Sequence, residues 1–488
     1  MQYKNIIRIL GLLVALLSVT MLPPALVSLL YRDGGGVPFL MAFLFCLITG
    51  GIFWYANRNE KGELRAREGF LIVVLFWLVL ASFSAIPLIL LDEPNFSLAD
   101  AIFESFSGLT TTGATILNNI DGLPHSVLFY RQQLQWLGGM GIIVLAVAVL
   151  PMLGIGGMQL YRAETPGPVK DSKMTPRIAD TAKHLWYIYL SLTILCTIAY
   201  WLAGMSGFDA ICHAFSTIAI GGFSTHDASM GYFNSSAINF VCVFFLIIAG
   251  INFALHYAVI QSRSLKNYIY DPEFRVFIAI QVVLTLICFA VLMWHNIYEN
   301  SDQAFEQALF HAVSISTTAG FAATPFDTVP FAAWPTLLPI LLIFASFIGG
   351  CAGSTGGGMK VVRITLLYLQ GLRELNKLVH PKAIFSIKLG NKALPDRVVE
   401  AVWGFFSAYA AVFVICMLLL LAGGMDDITA FTAVAACMNN LGPGLGEVAA
   451  NYSSISDFSK WVLVIAMLFG RLEIFTLLVL FTPAFWKS

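Results

Sequence analysis

Glycines at positions 113, 222, 320 and 442 each end a short segment that opens, twelve residues earlier, on an alanine: Ala101, Ala210, Ala308 and Ala430. Glycine adopts backbone conformations that can turn successive carbonyl oxygens toward one line. A ring of such oxygens replaces the hydration shell of a bare cation. The backbone able to do this is Thr110, Thr111, Thr112 and Gly113 in the first segment, and Ala219, Ile220, Gly221 and Gly222 in the second. In the third it is Thr317, Thr318, Ala319 and Gly320, and in the fourth Asn439, Asn440, Leu441 and Gly442. Any one of these loops could be a plain connector. Four with one Ala-to-Gly interval imply a single structural unit used four times. The fourth, with Leu441 before its glycine and Pro443 after it, is the least like the others, so the site need not be symmetric.

A second feature is GGCAGSTGGGMK, which interrupts the apolar stretch beginning at Leu337. Gly349, Gly350, Cys351, Ala352, Gly353, Ser354, Thr355, Gly356, Gly357 and Gly358, with Lys360 at the end, form a run too flexible to hold a helix. Broken backbone at membrane depth must lie against protein or water. One expectation is a movable plug just below the third glycine segment. The other is a kink for close helix packing; three consecutive glycines favour the plug. Arg471 lies inside the last apolar stretch, two residues before Glu473, where a charge normally faces a cavity or a partner. Residues two apart on a helix point different ways. Either each pairs with another helix, Glu473 with Lys360 for instance, or Arg471 stands below the glycine segments as an electrostatic barrier to cations. His213, His256 and His311 read as packed, hydrogen-bonded side chains. The eight cysteines lie mostly in apolar runs and read as small core residues. No nucleophile–base set or metal-ligand spacing stands out, so no catalytic residue is expected.

These residues need elements to position them. The 488 residues are 58% hydrophobic and 11% charged, with a mean hydropathy of +0.80. A soluble domain carries about a quarter charged residues, so the expected medium is a lipid bilayer. The net charge of −1 says nothing about partners, and no nucleic-acid partner is expected. Ten apolar windows predict spans near 6–30, 37–56, 69–91, 126–152, 184–204, 237–260, 274–296, 333–368, 398–422 and 459–482. Lysines and arginines gather in alternate loops, at 58–67, 162–183, 263–275 and 373–397, which the positive-inside rule assigns to the cytoplasm together with both termini. The glycine segments fall in the opposite loops, beside acids such as Asp100, Asp209, Asp302 and Asp427. The amphipathic stretch before each glycine suits a short re-entrant helix whose C-terminal end favours a cation. The expected fold is an all-α polytopic membrane protein with four pseudo-symmetric span–pore helix–span repeats around one pore. Two extra spans precede them at 1–62; the repeats occupy 63–163, 178–263, 272–375 (with the broken span) and 396–488.

The strings SGLTTTGAT, STIAIGGFSTHD, SISTTAGF, GSTGGGMK and NNLGPGLGE, with the repeated unit over essentially the whole chain, resemble the Trk/Ktr/HKT superfamily of potassium transporters. The resemblance implies K+ as the transported ion, held by backbone oxygens in a selectivity filter, with no other metal or cofactor. Glycine at all four positions goes with potassium preference in that superfamily, and serine in the first with sodium permeation. The resemblance also implies gating by the 349–358 loop and a pore barrier at Arg471. It further implies a homodimer in the bacterial inner membrane and a nucleotide-binding regulatory subunit resembling TrkA on the cytoplasmic face. A potassium symporter coupled to H+ or Na+ is the alternative within the same architecture, and a polytopic membrane enzyme the alternative outside it.

Overall fold

A computed structural model describes residues 2–60, 66–141, 178–324, 330–390, 392–472 and 474–486. Apart from a hairpin of two-residue strands, Lys388–Leu389 and Lys392–Ala393, the regular structure of the described residues is helical. Six helices are long and apolar enough to cross a membrane: Tyr3–Tyr31, Gly36–Ala56, Arg67–Ile89, Lys183–Leu202, Pro272–Trp294 and Asp396–Ala422. Their outward faces carry large apolar side chains, among them Leu195, Trp201, Val283, Leu286, Ile415 and Leu418. Such faces suit hydrocarbon rather than water.

Two more candidate spans are bent pairs. Ser236–Gly250 turns by 91° into Phe253–Ser262, and Asp457–Arg471 turns by 113° into the segment Ile474–Phe481. The spans expected near 237–260 and 459–482 are therefore not single straight rods. The physical reason for the first bend lies far away in sequence. Gly250 O accepts the Cys351 N–H at 2.8 Å, and the Phe253 N–H donates to Gly353 O at 3.1 Å, so the glycine run satisfies groups that the broken helix leaves orphaned. The span expected at 333–368 divides as its sequence implies, into helices Leu337–Ser346 and Val361–Val379 around the run. Of the span expected near 126–152, the described part is the helix His125–Trp136 and the π-helical turn Leu137–Gly141.

Four short helices precede the glycine segments: Leu98–Leu109, Gly207–Ala219, Ser301–Ser316 and Asp427–Met438. Each starts on a side-chain cap: Ser97, Ser206, Asn300 and Asp426 accept the backbone N–H of Asp100, Asp209, Asp302 and Thr429. An acid in each first turn suits the positive end of the helix dipole. The helix that follows each glycine segment then packs on the next short helix. His125–Trp136 lies on the second, Ser236–Gly250 on the third, Leu337–Ser346 on the fourth, and Asp457–Arg471 returns to the first. One chain thus closes a four-membered cycle.

Candidate functional site

All four short helices end the same way. The residue two before each glycine is left-handed, with φ of 56° at Thr111, 53° at Ile220, 71° at Thr318 and 54° at Asn440. Its N–H bonds back to the carbonyl of Gly108, Thr217, Ile315 or Cys437 at 3.0–3.3 Å. The next N–H bonds to that of Ser107, Ser216, Ser314 or Ala436 at 2.7–2.8 Å. This paired termination normally recruits glycine to the left-handed position. Threonine and isoleucine there cost roughly 1–2 kcal/mol each, a strain that persists only where the surroundings over-determine the backbone.

The glycines that follow have φ of 82°, 80°, 78° and 97°. They are also sites of closest approach. A β-carbon added to Gly113 would collide with Gly221 O, one on Gly222 with Ala319 O, and one on Gly320 with Leu441 O. One on Gly442 would stand 2.8 Å from Thr112 O. The carbonyl oxygens just before the four glycines therefore form a ring, each lying against the glycine of the preceding segment. The divergent fourth segment takes its place with the same backbone, because helix termination and glycine contact both use main-chain atoms. Its asymmetry lies mainly in side chains, with a wider φ at Gly442 and a looser approach of Thr112 O the backbone differences.

The glycine-rich run lies directly against this ring. Thr355 Oγ1 donates to Ile218 O at 2.8 Å, the Gly357 N–H to Thr318 Oγ1 at 2.7 Å, and the Gly358 N–H to Asn439 O at 3.0 Å. Lys360 is buried and donates to Gly356 O. Arg471 joins the run to the first segment: Nη1 donates to Thr111 Oγ1 at 3.3 Å and Thr355 O at 3.5 Å. Its Nη2 donates to Gly139 O at 2.7 Å and also to Gly138 O. Glu473, the partner considered for Lys360, lies outside the described residues. A different acid holds the run. Glu273 Oε1 accepts the N–H of Ala352 at 2.7 Å and of Val362 at 3.2 Å, tying both of its ends to the helix Pro272–Trp294. Nothing in DPEFR flags this, because an acid at a helix start is ordinary. Among the described residues, no group of three or more His, Cys, Asp or Glu side chains is suited to hold a metal ion.

A family model described as TrkH, cation transport protein, matches residues 36–488. The chain belongs to the TrkH family. It is therefore a membrane transporter and not an enzyme. The Trk system potassium uptake protein TrkH of Vibrio parahaemolyticus serotype O3:K6 (strain RIMD 2210633) is 66% identical over 490 residues, covering 100% of both chains. The Escherichia coli (strain K12) protein of that name is 61% identical over 488 residues, again covering 100% of both. The Trk system potassium uptake protein TrkG of the same strain is 43% identical, covering 98% of this chain and 97% of its own. The crystal structure of the potassium transporter TrkH from Vibrio parahaemolyticus matches this fold with a TM-score of 0.90 at 63% identity, covering 100% of both chains.

In this TrkH-family chain a polar scaffold stands behind the ring. Arg131 Nε and Glu104 Oε1 pair at 2.7 Å with both side chains 1% exposed. Glu104 also accepts the Ile116 N–H at 3.1 Å, while Arg131 donates to Ser224 O at 3.2 Å. One ion pair so ties down the backbone beyond Gly113 and beyond Gly222. Gln135 donates to Gly221 O at 2.6 Å and accepts the Phe223 N–H at 3.1 Å; Tyr452 donates to Gly442 O at 2.7 Å. Arg131 carried a usable signal, a charge within an apolar window like that of Arg471. Gln135 and Tyr452 carried none. The histidines are packed and bonded as expected: His213 to Asp209 O and Ser224 Oγ, His256 to Tyr268 Oη and Ile248 O, and His311 to Gln307 O.

On the side of the short-helix N-termini, His226 bridges the first two repeats. Its Nδ1 bonds Asp121, its Nε2 lies 3.5 Å from Asp209 Oδ1, and its ring stacks on Tyr232. Asp227 and Asp121 exchange backbone-to-carboxylate bonds, and the His213 ring lies 6.5 Å away. Burial opposes a charge on His226, but the bonds to Asp209 and Asp121 outweigh it and raise its pKa above the ordinary 6.5. Asp121 is lowered in turn: burial raises it, but the bonds to His226 and Asp227 and the histidine's charge together outweigh burial. A pKa raised by folding stabilises fully below the unfolded value and is lost as pH rises through the folded one. Thermal stability is therefore expected to fall as pH climbs from about 6.5, and His226→Gln to flatten that slope. Equal slopes in melting scans of the two proteins would show that the His226 bridge does not set this dependence.

Proposed function

We propose that this chain carries potassium into the cell across the cytoplasmic membrane. The conduit runs through the ring of carbonyls before Gly113, Gly222, Gly320 and Gly442, within a ten-span, four-repeat topology. The observation that supports this most is the closed cycle of four left-handed glycines, each crowded by the next segment's carbonyl. Such oxygens can stand in for the water around a dehydrated K+. The C-terminal ends of four helices add negative potential beside them, and the acids at the opposite helix ends concentrate cations at the mouth. The names of the relatives, potassium uptake proteins of a Trk system, agree with this reading. The run Gly349–Gly358 with Lys360 is the gate, Glu273 holds it shut, and Arg471 is the barrier on the ion path. A regulatory nucleotide-binding subunit resembling TrkA acts on this gate from the cytoplasmic side, and the chain pairs as a homodimer.

The direct test is flux into liposomes containing the purified protein, comparing potassium, rubidium and sodium with and without imposed proton or sodium gradients. Potassium and rubidium flux that needs no second gradient is expected. Strict dependence on a proton or sodium gradient would mean symport, and no alkali-cation flux would overturn the reading. Arg471→Ala is expected to raise single-channel conductance roughly tenfold, the effect of about 1.4 kcal/mol on a barrier, and to change its voltage dependence. Unchanged conductance and voltage dependence would remove Arg471 from the ion path.

A further inference from the structure

We infer that Gln135 tunes the ring toward potassium over sodium, as a positioning residue that holds one of the four oxygens. The inference rests on the ring being the ion path. The four ring oxygens are not equally free. Gln135 Nε2 donates to Gly221 O at 2.6 Å. Thr112 O, Ala319 O and Leu441 O accept no hydrogen bond among the described residues. A second bond fixes the direction of the first. Gln135 Oε1 accepts the Phe223 N–H at 3.1 Å, so a flipped carboxamide would set oxygen against oxygen and N–H against N–H. The side chain is buried, so water does not compete for its amide. The carboxamide thus grips the backbone on both sides of Gly222.

One sequence difference belongs to this contact. The residue before the ring glycine is Thr112, Ala319 or Leu441 in three segments and Gly221 in the second. The backbone of Gly221 is not left-handed, so its conformation does not call for glycine. Space does: a β-carbon there would collide with the Gln135 carboxamide. The segment that gives up this side chain is the one whose ring oxygen carries a side-chain donor.

A carbonyl ring discriminates between cations through the field strength of its oxygens and through how closely they can approach the ion. An oxygen that already accepts an N–H offers less of its electron density to an ion. Gly221 O is also anchored, because moving inward stretches a bond to a buried amide whose other end holds Phe223. Sodium is the smaller ion and holds its water more tightly. To replace that water the oxygens must close in and pull harder than potassium requires. Weakening and anchoring one ligand in four therefore costs sodium more than potassium.

The test is the reversal potential of the full chain in planar lipid bilayers with sodium on one side and potassium on the other, with potassium conductance recorded beside it. Gln135→Met keeps the length of the side chain and removes its donor. It is expected to raise the sodium-to-potassium permeability ratio about tenfold, the effect of some 1.4 kcal/mol, while potassium conductance stays of the same order. Gly221→Ala displaces the carboxamide without altering residue 135, so it should move the ratio the same way, and it takes over if Gln135→Met does not assemble. Gln133→Met is the control, on the same helix but bonded to Thr20 O, and should keep the parent's ratio. A ratio unchanged in Gln135→Met and Gly221→Ala, conductance to both ions lost in equal proportion, or an equal shift from Gln133→Met would overturn the role and leave Gln135 a structural prop. Each of those results leaves a potassium-conducting parent and so leaves the ion path standing. A parent that conducts no alkali cation would overturn the ion path itself, and this inference with it.

Discussion

Gly222→Ala is expected to reduce potassium flux on the order of 100-fold while leaving a folded protein, the scale at which a 1 Å misplacement defeats a preorganised site. Two effects act together. Alanine at φ +80° is strained, by roughly 1–2 kcal/mol. Its methyl group would also land on Ala319 O, one of the four ring oxygens, so either that oxygen or the second segment must shift. The strain alone would be tolerable in a protein of this size; the displaced oxygen is what should stop transport. Gly207 makes the control, since it opens the second short helix with nothing within 4 Å of an added β-carbon. Gly207→Ala should transport normally. Liposome flux with both variants decides the matter, and wild-type rates from Gly222→Ala would show that ions do not pass the ring.

Deleting Gly353–Gly357 is expected to raise cation flux by about 100-fold. The deleted residues hold Thr355, which bonds Ile218 O and receives Arg471, and Gly357, which bonds Thr318 Oγ1. At about 1 kcal/mol net per hydrogen bond, their loss removes roughly 3 kcal/mol from the closed state, or two factors of ten in the closed–open balance. Glu273→Gln should act in the same direction but only several-fold. Its amide oxygen still accepts the Ala352 and Val362 N–H groups, so the tie is weakened rather than cut. Single-channel recording separates the cases. If the deletion leaves open probability and conductance unchanged, the run is a packing kink and not a gate. If the deletion opens the path and Glu273→Gln does not, the run is held by its contacts with the ring alone.

Local features were legible without a fold. The Ala-to-Gly interval spans the C-terminal part of one short helix and its terminal turn, so each repeat announces itself within thirteen residues. Charge asymmetry between loops sorts them into two sides because lysine and arginine act on topology loop by loop. The glycine run betrays a broken helix because glycine cannot hold one against its backbone entropy. Arg471 stands out because a charge among apolar residues demands a partner.

What only the tertiary structure decided depends on partners remote in sequence. The bend after Gly250 is invisible in its apolar window, because the groups that satisfy it belong to Cys351 and Gly353. Glu273 looks like an ordinary helix-start acid until it is seen bonding residues 79 and 89 positions away. Glu104 and Arg131 become one scaffold only when their helices meet. The fourth segment shows the division most clearly. Asn439, Asn440, Leu441 and Pro443 depart from the pattern of the other three, yet Asn440 and Gly442 repeat the same left-handed turns. The sequence alone marked four units and sorted their loops by charge, since helix length and charge are local properties. The folded chain decided that the four are equivalent at the ring, because backbone bonds and carbonyl-to-glycine contacts are blind to side chains.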